Sequence, residues 1–141
     1  MTHTAVVRSP TGDRRDATHL GALAAIAGPQ LTISEHHVGR RAVLAVAGEV
    51  DIATSADLRT AIEAAGARAF EVWVDLSDTT FMDSSGLHAM AEARARLIGA
   101  KIRFVVVCPE GPVLRALTLT GLDRIFEIHA SRRAANHAIA A

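Results

Sequence analysis

Apolar residues recur along the chain with two different periods, and the period changes near glycines and prolines. Alternation of apolar and polar residues starts at Leu31 and resumes after a turn at Val38-Gly39-Arg40, which predicts a hairpin. Two later runs are apolar on both faces and therefore predict buried, central strands. The predicted strands begin near Leu31 and cover residues 43–47, 70–76, 102–107 and 125–128.

Helical spacing of apolar residues fills the segments between these strands. The predicted helices run from a cap at Thr54 or Ser55 to Gly66, from about Ser84 to Ile98, from Val113 to Leu119, and from a cap at Ser131 toward Ala140. Strands that alternate with helices favour an α/β fold, in which crossover helices pack against an open sheet. We expect a mixed sheet of four to five strands with the helices packed against it.

One domain is expected, because 141 residues of which half are apolar suffice for a single sizeable core. Residues 1–29 show no sustained strand or helix period and are predicted to be a loosely ordered tail, which leaves 30–141 as the domain. The tail contains one apolar patch, Leu20–Ala27, which is too short to span a membrane.

Charge and cysteine content narrow the function classes. Fifteen basic and fifteen acidic residues cancel, so the broad positive field that nucleic acid or an anionic membrane requires is absent, and a protein partner is expected. Cys108 is the only cysteine, which excludes an intrachain disulfide and a thiolate zinc cluster and favours a reducing cytosol. His36 and His37 are neighbours on a predicted strand and point to opposite faces, so no metal site and no cofactor is expected.

The stretch FMDSSGLHAM, residues 81–90, carries the candidate chemistry. Residues 78–86 are predicted to form the loop after a buried strand, at the sheet edge where binding groups collect. Asp83 or Ser84 is suited to cap the following helix, and Gly86 to keep its first turn sterically open. Capping accounts for one hydroxyl but does not require the second, adjacent one.

FMDSSGLHAM resembles the signature of the STAS domains, which sulfate transporters share with bacterial anti-sigma factor antagonists and in which Asp-Ser-Ser-Gly or Asp-Ser-Thr-Gly begins a helix. Three further segments resemble the family in order and spacing. They are Gly48-Glu49-Val50-Asp51, Val74-Asp75-Leu76-Ser77 and Leu119-Thr120-Gly121-Leu122. The resemblance covers Leu31 to His129, nearly the whole predicted domain.

The resemblance implies a cytoplasmic switch protein without enzymatic activity. Its unmodified form is expected to bind an anti-sigma factor that is also a serine kinase, and so to free a sigma factor; phosphorylation reverses this. Matched residue by residue, the phosphate acceptor is Ser84, with Ser85 as the alternative. A serine phosphatase stays open as a further partner.

The residues expected to contact the partner are Asp51, Asp83, Ser84, Ser85, Gly86 and His88. His88 stands where relatives often carry glycine, so it is expected to affect which partner docks. Three alternatives stay open: a non-switching STAS scaffold, a nucleotide-binding STAS module, and a small serine hydrolase. The chain lacks a phosphate-binding loop with its lysine, and it lacks the Gly-x-Ser-x-Gly elbow, so the last two have weaker support.

Overall fold

The computed structural model describes residues 6–8 and 31–140. Its strands form one sheet whose order follows the chain, β1-β2-β3-β4-β5-β6. The strands are β1 Val6–Arg8, β2 Thr32–Val38, β3 Arg41–Val50, β4 Glu71–Met82, β5 Arg103–Val107 and β6 Glu127–His129. The pairs β1/β2 and β2/β3 are antiparallel, whereas β3, β4, β5 and β6 run parallel to one another. The predicted mixed sheet of an α/β fold is confirmed.

Helices make the crossovers between the parallel strands and cover both faces of the sheet. They are α1 Ser55–Gly66, α2 Ser84–Gly99, α3 Pro112–Leu119 and α4 Arg132–Ala140, with a short 3-10 turn at Leu122–Arg124. The larger core lies under α1, α2 and α3, with residues such as Leu44, Ile62 and Met90 fully buried. No helix in residues 6–8 and 31–140 combines the length and hydropathy needed to cross a membrane.

A second, smaller core lies on the other face, beneath α4. It contains Val43, Trp73, Val105, Val107 and Ala135. The indole Nε1 of Trp73 donates to Glu71 Oε1 at 2.9 Å, and the guanidinium of Arg41 lies 3.9 Å from the indole ring centroid. The helix α4 is capped as expected, because Ser131 Oγ accepts a bond from Ala134 N at 3.0 Å.

The strand that leads to the candidate site is longer than predicted. The apolar pattern predicts that the strand ends at residue 76 and that a loop covers 78–86, but β4 continues to Met82, so the loop prediction is wrong. Two register shifts against β3 accommodate this polar section. The hydroxyl of Thr79 donates to Val46 O at 2.8 Å and that of Thr80 donates to Gly48 O at 3.2 Å, so residues that read as loop are bonded into the sheet.

Two other differences concern strand ends. Phe70, expected in a buried strand, lies just before β4 and is 64% exposed. Within the predicted tail, Val6–Arg8 forms a strand that pairs with β2, which sequence analysis does not predict. The remainder of the predicted tail lies outside the described residues, and the division of the chain at residue 30 stays a prediction.

Candidate functional site

The candidate site lies where the parallel strands β3 and β4 end and α2 begins. Val50 and Met82 are paired across the two strands, and the backbone N–H of Asp83 donates to Val50 O at 3.1 Å. Asp51 and Asp83, which follow these strand ends directly, are therefore held at the same sheet edge. The fold thus brings together two predicted site residues that are 32 positions apart in the sequence.

Asp83 is the N-cap of α2. Its Oδ1 accepts bonds from Ser85 N at 2.9 Å, from Gly86 N at 3.2 Å and from the Ser85 hydroxyl at 2.5 Å. Of the two capping residues that the sequence allows, Asp83 performs the role and Ser84 is the first residue of the helix. One carboxylate therefore satisfies two first-turn N–H groups and also fixes the hydroxyl of Ser85.

Ser84 differs from Ser85 in both exposure and bonding. Its side chain is exposed, and its hydroxyl bonds to no group within residues 6–8 and 31–140, whereas Ser85 is half-buried and bonded to Asp83. Ser84 also stands at a helix N-terminus, where the helix dipole favours an anion, although the N–H groups of Ser85 and Gly86 are already bonded to Asp83. The Ser84 hydroxyl is therefore accessible from solvent, and it lies next to both the positive end of the helix dipole and the carboxylate of Asp83.

Gly86 allows the start of α2 to approach the sheet closely. A Cβ at this position would lie 2.6 Å from Met82 Cγ and 2.7 Å from Val50 Cγ1. The role differs from the expected one of keeping the first turn open: the missing side chain makes room for the ends of β3 and β4. This contact sets how far Ser84 stands above the sheet edge.

Asp51 organises the loop between β3 and α1. Its Oδ1 accepts bonds from Ala53 N at 2.9 Å and Thr54 N at 3.2 Å, and its own N–H donates to Thr54 Oγ1 at 2.9 Å. Thr54 occupies the N-cap position of α1, but its hydroxyl makes no capping bond and donates instead to Glu49 O at 3.0 Å. The expected side-chain cap of α1 is therefore wrong, because the loop uses that hydroxyl.

His88 lies one turn beyond Ser84 on the same face of α2. Its side chain is 73% exposed, and its Nε2 lies 3.4 Å from Glu92 Oε2. Beside it, a groove of about 160 Å³ separates α1 from α2. The groove is lined by Ser55, Ala56, Arg59, Ser85, His88, Ala89 and Glu92. Arg59 bridges its two walls, since its Nη1 donates to Glu92 Oε1 at 3.2 Å.

Two apolar residues near this edge are missing from the sequence-based list of site residues. Ile52 follows Asp51 and is 84% exposed, and Phe81 precedes Met82 on β4 and is 47% exposed. Large exposed apolar side chains beside polar ones are typical of protein interfaces. Both residues lie next to segments that the sequence singled out, but their position in the sequence does not reveal that their side chains are exposed.

The Cys108 thiol and the Asp57 carboxyl group are less suited to a functional site than the groups around Ser84. Burial, with a smaller effect from the nearby Asp75 carboxylate, raises the pKa of the Cys108 thiol to about 11, so the thiol is predominantly protonated at neutral pH. Burial also raises the pKa of Asp57, in the first turn of α1. Within residues 6–8 and 31–140, no group of three or more His, Cys, Asp or Glu side chains is arranged to hold a metal ion.

Comparisons with known proteins agree with this geometry. Residues 29–135 match the STAS domain. Over 99 residues, which are 70% of this chain and 79% of the relative, the chain is 34% identical to the anti-sigma-F factor antagonist RsfB of Mycobacterium tuberculosis.

Solved structures show the same architecture. An anti-sigma factor antagonist from Mycobacterium paratuberculosis superposes with a TM-score of 0.72 at 30% identity, over 79% of this chain and 95% of that one. The Bacillus cell fate determinant SpoIIAA in its phosphorylated form superposes with a TM-score of 0.58 at 19% identity, over 75% and 98% of the two chains, which shows a shared fold.

Proposed function

The chain belongs to the STAS domain family and is an anti-sigma factor antagonist, and from this we propose that the edge around Ser84 binds an anti-sigma factor and that phosphorylation of Ser84 ends the binding. The observation that carries the proposal is the different state of the two adjacent hydroxyls. The Ser84 hydroxyl is exposed and bonded to no described residue, while the Ser85 hydroxyl is bonded to Asp83.

This difference selects the phosphate acceptor. A kinase must bring the γ-phosphate of ATP in line with a hydroxyl oxygen and remove its proton, so the hydroxyl has to be accessible. Ser85 would first have to give up its bond to Asp83, which also caps the helix. Ser84 meets the requirement without any rearrangement, and we therefore assign the modification to Ser84 rather than to Ser85.

Electrostatic repulsion and desolvation explain how one phosphate ends binding. The group adds about −1.5 to −2 charges at neutral pH beside the carboxylate of Asp83. Each negative charge that the partner places ~6 Å from a unit negative charge of the phosphate is repelled by roughly 3 kcal/mol at an effective dielectric constant of ~20, and ~1.4 kcal/mol changes the affinity tenfold. The phosphate also suits the helix N-terminus, so the domain keeps its fold while the complex is lost.

Apolar contacts supply the affinity of the unmodified form. Ile52, which follows Asp51, is 84% exposed, and Phe81, two residues before Asp83, is 47% exposed. Covering such a side chain contributes about 1.5–3 kcal/mol when burial is complete. A partner that buries both residues also brings its surface next to Ser84, which is why a charge at that position opposes docking.

The proposed partner is an anti-sigma factor with serine kinase activity, and a serine phosphatase would restore the unmodified form in the cytoplasm.

The relatives are named as regulators rather than enzymes. We propose that this chain also acts by binding. The hydroxyl of Ser85 is bonded to Asp83, and His88 lies beside Glu92, so these side chains are not arranged as a nucleophile with its base.

The test measures binding to the anti-sigma factor of the same organism by titration calorimetry, and phosphate incorporation by intact mass. Ser84→Ala is expected to bind within a few-fold of the parent and to take up no phosphate. Ser84→Glu is expected to bind at least tenfold more weakly. Thr118→Glu, which places the same charge on an exposed residue of α3, serves as the matched control and should bind normally.

Ser85→Ala distinguishes the two acceptors. It removes the neighbouring hydroxyl and should still gain one phosphate under the same conditions. A phosphate found on Ser85, or a Ser84→Glu complex as tight as the parent complex, would show that the assignment is wrong.

A further inference from the structure

A second groove lies at the opposite edge of the sheet, where β4 and β5 begin and α1 and α2 end. We propose that this groove, called here the amino-edge groove, binds an acidic segment of a second protein that also carries an apolar residue. Its volume is about 580 Å³. It is lined by Gly66, Ala67, Arg68, Ala69, Phe70, Ala100, Lys101 and Ile102.

The apolar part of this surface is Phe70. Phe70 is 64% exposed, although its backbone is held by two hydrogen bonds: its N–H donates to Arg40 O at 2.9 Å, and its carbonyl accepts from Arg103 N at 3.1 Å. Val38, in the adjacent hairpin, is 57% exposed. Because the backbone of Phe70 is already ordered, a partner that covers the ring does not have to order that part of the chain.

The charges around Phe70 favour an acidic partner. The guanidinium of Arg40 lies 4.7 Å from the ring centroid, and neither Arg40 nor Lys101 forms an ion pair with any of residues 6–8 and 31–140. The carboxylates nearby are already neutralised. Glu35 is buried and paired with Arg68 and His37, and Glu71 is paired with Arg41 at 2.5 Å. Among the residues that the structure describes, Arg40 and Lys101 are therefore two positive charges without an acidic partner near an exposed ring.

The position of Lys101 supports the same inference. Lys101 is the only lysine of the chain, and its φ of 63° lies in the left-handed region that favours glycine. Its N–H donates to Ile98 O at 2.9 Å just after α2 ends, a position at which glycine is the usual residue. Compared with glycine, a lysine in this left-handed conformation has a higher backbone conformational energy, and it adds an exposed charge at the rim of the groove.

The two edges are far enough apart to work independently. The twelve residues of β4 lie between Phe70 and Asp83, and thirteen steps of ~3.3 Å make the separation along the strand roughly 40 Å. This is several times the screening length of ~8 Å at physiological salt. If Ser84 is the switch proposed above, its phosphorylation releases the partner at that edge and leaves the amino-edge groove unaffected.

The experiment is an amide NMR titration of the full chain with a synthetic ten-residue peptide containing six glutamates, one leucine and one phenylalanine. A peptide with glutamines in place of the glutamates is the matched control. We expect the acidic peptide to shift the amides of Phe70 and Lys101, and Arg40→Gln/Lys101→Gln to weaken binding at least fivefold. Arg94→Gln/Arg133→Gln, which removes the same charge elsewhere, and Ser84→Glu should each change it less than twofold.

Three outcomes would overturn the inference: no shifts at millimolar peptide, equal shifts from the glutamine peptide, or equal weakening by both arginine-containing double variants. Binding to phosphatidylserine vesicles without binding of the acidic peptide would also overturn it, since it would identify a lipid surface. Because Ser84→Glu is measured separately on the anti-sigma factor, failure of the proposed switch and failure of the groove are distinguished.

Discussion

Replacing Gly86 by alanine tests the close contact that positions the candidate site. The new Cβ would lie 2.6 Å from Met82 Cγ and 2.7 Å from Val50 Cγ1, whereas carbon atoms in favourable contact are about 3.5–4.0 Å apart. The start of α2 must therefore move by roughly 1 Å from the strand ends, or both neighbouring side chains must leave their positions. Since Val50 is fully buried and Met82 nearly so, neither has free space to enter.

The expected magnitude combines two opposing effects. Overpacking of this kind costs about 1–3 kcal/mol. Alanine in place of glycine inside a helix returns up to ~1 kcal/mol through its better helix propensity. We therefore expect Gly86→Ala to lower the free energy of unfolding by about 1–2 kcal/mol, which for a domain of this size corresponds to a Tm lower by roughly 4–10 °C.

The same helix offers a matched control, because a Cβ at Gly99 would meet nothing within 4 Å. Gly99→Ala should leave stability unchanged or raise it by up to ~1 kcal/mol. Urea denaturation of both variants gives the comparison, and calorimetry with the anti-sigma factor shows whether displacing Ser84 weakens binding. A Gly86→Ala variant as stable as Gly99→Ala would refute the contact.

Three further predictions concern the cap, the thiol and a partly buried ion pair. Asp83→Ala should lower the free energy of unfolding by about 1 kcal/mol in urea, because two first-turn N–H groups lose their acceptor; an unchanged midpoint argues against the cap. With its pKa near 11, the Cys108 thiol is ionised to only ~0.1% at pH 8. It should therefore react with a disulfide reagent roughly a hundredfold more slowly in the native chain than in the unfolded chain. Equal rates in the two states would contradict this. Burial alone would raise the pKa of Asp75, but bonds from Ser77 and Arg132 outweigh it and hold that pKa below its ordinary value. The ionised Asp75 therefore contributes fully to folding stability above about pH 4, and this contribution is lost as pH falls through its lowered folded pKa. In thermal melts, the Tm of Asp75→Asn should fall less between about pH 4 and pH 2 than the Tm of the parent. An equal fall would show that another carboxylate dominates.

The sequence determined the order and type of the elements from Leu31 onward. Hydrophobic period is a local property, since each strand or helix must present one face or both to a core, and that requirement is written into neighbouring residues. The motif around Asp83 was equally readable, because a cap and the helix it begins lie within a few positions. The sequence pattern was therefore sufficient to place the two adjacent serines at the start of a helix.

Tertiary structure decided what those residues do. Thr79 belongs to β4 because its backbone pairs with Gly48 of β3, and its hydroxyl adds a bond to the carbonyl of Val46, 33 positions earlier. Gly86 is required because Val50 arrives from another strand, and Phe70 is exposed because no element in the described part of the chain covers it. Ser84 and Ser85 are the same residue type in adjacent positions, and only the folded backbone directs one hydroxyl to Asp83 and the other to solvent. Contacts between distant segments depend on packing and register, which a local pattern does not contain.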